Sequence, residues 1–152
     1  MKRRKTRPCP EFLLKLELRS NPHLLCVVRS AVERLTEDFG FSAQDSSSMT
    51  RAVDEALTNI MRHSYGGALD QPIAIYFRQV ERGGDGHTNG GLEIQLQDRG
   101  IKFDPGKVRV RNTQEVRPGG LGLLLIRQSV DLAEYSRVGR TNRLRLVKYL
   151  PG

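Results

Sequence analysis

Glu55, Asn59 and His63 recur at intervals of four in the segment Asp54-Glu55-Ala56-Leu57-Thr58-Asn59-Ile60-Met61-Arg62-His63. In a helix that interval aligns all three along one stripe. A carboxylate and an amide one turn apart divide two tasks between them. The amide oxygen is a hard ligand of the kind Mg²⁺ accepts alongside phosphates and water. The carboxylate can take a proton from a hydroxyl attacking a γ-phosphate. Farther along, Gln97-Asp98-Arg99-Gly100-Ile101-Lys102-Phe103-Asp104-Pro105 ends an apolar run with an aspartate entering a glycine turn. Such a carboxylate can accept a hydrogen bond from an exocyclic amine, for instance the N6 group of adenine. A third segment, Gly119-Gly120-Leu121-Gly122, opens an apolar helical pattern. Glycines admit a ligand close to the backbone, and a helix start presents unpaired N–H groups to phosphate. Taken singly, each segment also has an ordinary reading, as an exposed polar helix face, a common turn, or a flexible helix start. Neither the Walker pattern nor the Gly-x-Gly-x-x-Gly fingerprint is present.

The elements that must position these residues follow from periodicity. Phe12, Leu14, Leu16 and Leu18 alternate with polar residues, which predicts a strand. Asn21-Pro22 caps and starts a helix that keeps helical spacing through Val28, Val32 and Leu35 to Phe39, with Gly40 as a left-handed stop. Ser42 with Asp45 predicts a second helix from about Ala43 to His63, burying Met49, Val53, Ala56 and Ile60. Strands through Ile73–Phe77 and Leu92–Leu96 flank a glycine-rich tip and read as a hairpin. A basic loop, residues 107–117, leads to the glycines and a helix through Leu123–Val130. Two last strands, about Leu132–Val138 and Leu144–Leu150, flank a turn. The order βααββαββ predicts an α+β, two-layer sandwich, a mostly antiparallel mixed sheet with helices on one face.

Composition bounds the function classes. The chain has 152 residues, 38% hydrophobic and 28% charged, as expected for one folded domain rather than a disordered chain. We read residues 1–10 as a basic flexible leader and 11–152 as the domain. No apolar run approaches the roughly 18 residues of a membrane span, and the basic start lacks a signal peptide's apolar core. Cys9 and Cys26 have no metal-ligand spacing and read as free thiols, consistent with a cytoplasmic protein. The net charge of +8 would suit nucleic acid, but outside residues 2–7 the arginines are dispersed and no aromatics interleave with the basic cluster. An anionic ligand or an acidic protein partner accounts for the charge as well.

In combination, Glu-x-x-x-Asn on a helix, Asp-x-Gly after a strand and Gly-Gly-Leu-Gly before a helix resemble the N, G1 and G2 boxes of the GHKL (Bergerat) ATP-binding fold. The spelling Asp54-Glu55-Ala56-Leu57-Thr58-Asn59, Phe103-Asp104-Pro105 and Gly119-Gly120-Leu121-Gly122-Leu123 is similar to the anti-sigma-factor serine kinase branch. The closing Asn142-Arg143-Leu144-Arg145-Leu146-Val147-Lys148-Tyr149-Leu150 fits that branch's last strand, so the likeness runs from about Phe12 to Leu150.

The resemblance implies ATP and Mg²⁺ as cofactors, Glu55 as general base and Asn59 as metal ligand. It implies Asp98 on adenine, with Gly100, Lys102 and Phe103 shaping the pocket, and Gly119, Gly120, Leu121 and Gly122 at the phosphates. Residues 107–118 would form a lid. His63 occupies a frequent family position, where it either meets the cofactor or caps the helix. The implied substrate is a serine on a STAS-type anti-anti-sigma protein, and the implied target a sigma factor, with a homodimer as the assembly and no direct nucleic acid or membrane contact. Lys102 stands where the wider fold often has a second glycine; its side chain can stiffen the loop or reach a phosphate. The rival expectations are a partner-binding module of the same fold with little or no catalysis, and, on charge alone, a nucleic-acid binder.

Overall fold

In the computed structural model, residues 12–81, 89–103 and 120–152 are described. The leader, the hairpin tip, Gly119 and the segment read as a lid lie outside them. The elements run β1 (Leu14–Arg19), a 3₁₀ turn (Pro22–Leu24), α1 (Leu25–Phe39), α2 (Ala43–Asn59), a π turn (Ile60–Ser64), β2 (Pro72–Val80), β3 (Gly91–Asp98), α3 (Gly120–Ser129), β4 (Leu132–Val138) and β5 (Thr141–Tyr149). The strand–helix order is the one that periodicity predicts. Boundaries differ in several places: Pro22 opens a 3₁₀ turn before α1, α2 ends at Asn59 rather than His63 and gives way to a π turn, α3 begins at Gly120 rather than after the glycines, and Thr141 and Asn142 belong to β5 rather than to the turn.

Local chemistry explains the helix ends. Asn21 accepts a hydrogen bond from the His23 amide, and Ser42 accepts one from the Asp45 amide, so each satisfies an orphan donor of a first turn. Gly40 closes α1 in the left-handed conformation at φ 88°.

The sheet has five strands in the order β1-β2-β3-β5-β4. The mostly antiparallel sheet expected is antiparallel at every pairing among the described strands. Because β5 sits between β3 and β4, Asp98 lies opposite Asn142 at one end of the central pair. One face of the sheet supplies Ile73, Ile75, Phe77, Leu92, Ile94, Leu96, Leu144 and Leu146 to the core. Against them pack Val28 and Val32 of α1, Met49, Val53, Ala56 and Leu57 of α2, and Ile126 of α3. Burial of these side chains at about 25 cal/mol per Å² holds the two layers together.

The opposite face is polar. Glu93, 4% exposed, receives Arg78 Nη2 at 3.0 Å and Arg145 Nε at 2.8 Å, and Arg145 also meets Glu134 at 3.2 Å. Several of the dispersed arginines are thus spent on internal pairing. Cys26 is an exposed free thiol. No helix among the described residues is long and apolar enough to cross a membrane.

Candidate functional site

α2 carries adjacent carboxylates with separate fates. Asp54 is held by Arg29 of α1, which donates through Nε at 2.7 Å and Nη2 at 3.2 Å, so it ties the two helices together. Glu55, half-buried, has no hydrogen bond within the described residues, and neither has the Asn59 amide one turn later. Both side chains face the start of α3. A Cβ placed on Gly122 would stand 3.0 Å from Glu55 Oε2, 3.6 Å from Asn59 Nδ2 and 3.7 Å from Asn59 Oδ1. Glycine at this position therefore lets the first turn of α3 approach a carboxylate and an amide that are otherwise unengaged among the described residues. Gly120 opens that same turn. Leu121 follows it in α3, and Gly119 is outside the described residues.

The helix then changes pitch. Over Ile60–Ser64 it widens to a π turn, with the Tyr65 amide bonded to the Ile60 carbonyl at 2.9 Å. This brings Ser64, rather than His63, onto the loop that follows β3. Ser64 Oγ donates to Asp98 Oδ1, and the Ser64 carbonyl accepts the Ile101 amide at 2.9 Å. His63 is half-buried and is absent from the cavity wall described below.

Asp98, 6% exposed, ends β3. Besides Ser64, the Gly100 amide and Asn142 Nδ2 each donate to its Oδ1 at 2.9 Å. Gly100 is fixed by packing: a Cβ there would fall inside contact distance of both the Ser64 carbonyl oxygen and the Ser64 hydroxyl. Asp98 opens on a small cavity, about 40 Å³, also lined by Ala56, Asn59, Ile60, Phe103, Tyr135 and Asn142. The Phe103 and Tyr135 rings pack with centroids 4.8 Å apart. Burial pushes the Tyr135 phenol up to about 12. Lys102 is exposed and does not line the cavity.

The fold thus brings Glu55, Asn59 and Gly122 to one place, and Asp98, Gly100 and Phe103 to another, with Asn59 on the wall of the second as well. Motif spacing does not point to Ser64, Tyr135 or Arg137, and Asn142 reads in the sequence only as part of a strand. A signal existed for two of them. Leu144 and Leu146 face the core, and parity puts Asn142 on the same buried face. Tyr135 pairs with Leu144 and shares that face.

Comparison with known proteins agrees with this architecture. The family described as Histidine kinase-like ATPase domain matches residues 18–148. Among curated relatives, proteins named serine-protein kinase RsbW are similar over 78% of this chain and 75% of their own length: 27% identical in Oceanobacillus iheyensis and 29% identical in Listeria monocytogenes. A crystal structure of the RsbU and RsbW domains of Rv1364c from Mycobacterium tuberculosis superposes with a TM-score of 0.59 at 17% identity. It covers 90% of this chain, which spans about a third (32%) of that longer one. The match across most of the sequence, on a fold of the same class, means that this chain belongs to the histidine kinase-like ATPase domain family.

Proposed function

We propose that the protein is an Mg-ATP-dependent serine protein kinase and anti-sigma factor, which phosphorylates a STAS-type antagonist and sequesters a sigma factor. The observation that carries the reading is the convergence of Glu55 and Asn59, both unengaged among the described residues, on the glycine turn that opens α3. The cradle fits a phosphate group and its metal: a side chain at Gly122 would occupy the space in front of the carboxylate and the amide. Asn59 would hold Mg²⁺ through its amide oxygen, as a hard cation prefers. Gly120 and Gly122 would admit the phosphates to the helix start. Asp98 would receive the adenine amino group in the cavity that Phe103 and Tyr135 wall. Mg-ATP supplies the γ-phosphoryl group and the positive charge that offsets its negative charge. Glu55 would accept the proton of the serine hydroxyl whose oxygen takes up the γ-phosphoryl group, with ADP as the leaving group. Asp54 is unsuited to this, since Arg29 holds it on the side of α1.

The name shared by the relatives, serine-protein kinase, supports transfer to serine rather than to histidine. The same reading takes residues 11–152 as one kinase domain acting as a homodimer in the cytoplasm, with residues 1–10 as its leader. Calorimetry of ATP binding with and without Mg²⁺ tests the site. Wild type should bind in the micromolar range with Mg²⁺, and Asn59→Ala should lose that Mg²⁺ dependence. Glu55→Ala should keep ATP binding within about twofold while phosphotransfer to a STAS-type substrate falls roughly 10²- to 10⁴-fold. Normal transfer by Glu55→Ala would remove the base assignment. No binding at millimolar ATP would leave a partner-binding module of this fold.

A further inference from the structure

All three donors to Asp98 converge on one carboxylate oxygen. Ser64 Oγ, the Gly100 amide and Asn142 Nδ2 reach Oδ1, while among the described residues no hydrogen bond reaches Oδ2. A carboxylate held this way has a fixed plane and one acceptor left for a ligand. The arrangement depends on which way the Asn142 amide points. An amide on its own can be turned either way. Here Arg137 Nη1 donates to Asn142 Oδ1 at 2.8 Å, which sends Nδ2 toward Asp98 Oδ1 at 2.9 Å and the Ile101 carbonyl at 2.8 Å. Turning the amide over would set its oxygen against a carboxylate and a carbonyl, and its NH₂ against a guanidinium. Arg137 is itself anchored, with Nε donating to the Gly139 carbonyl at 3.1 Å and Nη1 reaching the Gly100 carbonyl at 3.4 Å. The buried amide therefore has one sense only, set from the β4–β5 hairpin.

We infer that Asn142 and Arg137 are positioning residues that commit the cavity to a base edge that donates, a 6-amino purine, against a 6-oxo purine, which presents an oxygen at the same place. The inference rests on the nucleotide reading given above and adds to it the residues that set base selectivity. Neither side chain needs to touch the ligand: both act through the orientation of Asp98. A site built to receive a ligand N–H discriminates strongly against an analogue that lacks it, because its acceptor is left facing another acceptor.

The test is calorimetry on the full chain with Mg-ATP and Mg-ITP. Wild type should prefer ATP by about tenfold or more. Asn142→Asp puts an oxygen where the donor stood. With the donor gone and a second carboxylate facing it, Asp98 is no longer held in one plane. The ATP:ITP ratio should therefore fall by roughly tenfold, through loss of ATP affinity in excess of any loss of ITP affinity. Arg137→Met keeps the apolar stem and frees the amide to turn, so the ratio should fall severalfold, and Arg137→Lys, which retains a donor, should restore it. A purely structural role would weaken both nucleotides in step, and an unchanged ratio in Asn142→Asp and Arg137→Met overturns the inference. If Asn142→Asp does not give a cooperative thermal transition, the Arg137 pair alone decides. Wild type that binds neither nucleotide removes the nucleotide reading and this inference together. Wild type that prefers ATP, with variants of unaltered ratio, removes only the inference.

Discussion

The two ends of the site are built in opposite ways. Around Asp98 the side chains are saturated: a serine, a backbone amide, an asparagine and an arginine hold one another in a closed set of hydrogen bonds. Around Gly122 they are bare, with Glu55 and Asn59 making no hydrogen bond among the described residues. Saturation suits recognition, because a fixed acceptor discriminates between base edges without reorganising. Bareness suits chemistry, because a carboxylate already engaged by a cation or an amide is a poorer proton acceptor. Asp54 and Glu55 make the contrast within two adjacent residues: the first is tied to Arg29, and the second has no hydrogen bond among the described residues.

Substitutions that fill space separate the two ends most sharply. Gly100→Ala should cost about 3 kcal/mol, since its methyl group would displace backbone of the π turn rather than a side-chain tip. In a chain of this length that lowers the melting temperature by roughly 6–12 °C, and calorimetric melting would show it. A melting temperature equal to wild type would mean the turn is softer than its packing indicates.

Alkaline titration probes the same saturated end. The Tyr135 phenol is pushed up to about 12 by burial, against an unfolded value of 10.0. Below pH 10 both states keep the proton and stability does not depend on this group. Between about pH 10 and 12 the unfolded chain loses it first, so stability falls with rising pH. The loss should reach roughly 2–3 kcal/mol by about pH 12. Urea unfolding at a series of pH values should show a shallower alkaline decline in Tyr135→Phe. Tyr65 is raised too, by burial first, and because both proteins keep it, its share cancels in the comparison.

Gly122→Ala should have the smallest effect, and one of a different kind. The added methyl group meets the flexible end of Glu55, which can move aside, and alanine favours a helix over glycine by about 1 kcal/mol. Melting should hold or rise slightly, while phosphotransfer drops roughly tenfold, about 1.4 kcal/mol in the barrier. A variant that melts early but transfers normally would reverse the assignment of the bare end.

Much of this division could be read in the residues themselves. Leucines and isoleucines at period two gave the strands, capping signals at Asn21 and Ser42 gave the helix starts, and the order of elements followed. Glu55 and Asn59 were legible because a regular helix relates positions four apart. The same rule misdirects at His63, because the chain leaves α-helical pitch after Asn59 and Ser64 takes the place next to Asp98. Nothing in Ile60-Met61-Arg62-His63-Ser64 marks a π turn, since its stability comes from contacts with the loop after β3. Arg137 was hidden for a related reason. Asn142 stands opposite it across the β4–β5 turn, but Gly100 and the Asp98 that Asn142 holds come from a loop and a strand far away in the chain, and local pattern carries no trace of them.

The placement of β5 between β3 and β4 has a consequence for the protein while it is being made. Synthesis proceeds from the amino terminus, so α2 and β3 leave the ribosome well before Asn142 does. Until the last strand emerges, Asp98 lacks its fixed amide and β3 lacks one of its two neighbours. The hydrogen-bond set around Asp98 is therefore completed last, and a chain stalled before Thr141 has Glu55 and Asn59 on its helix but an Asp98 still without the amide that fixes its plane.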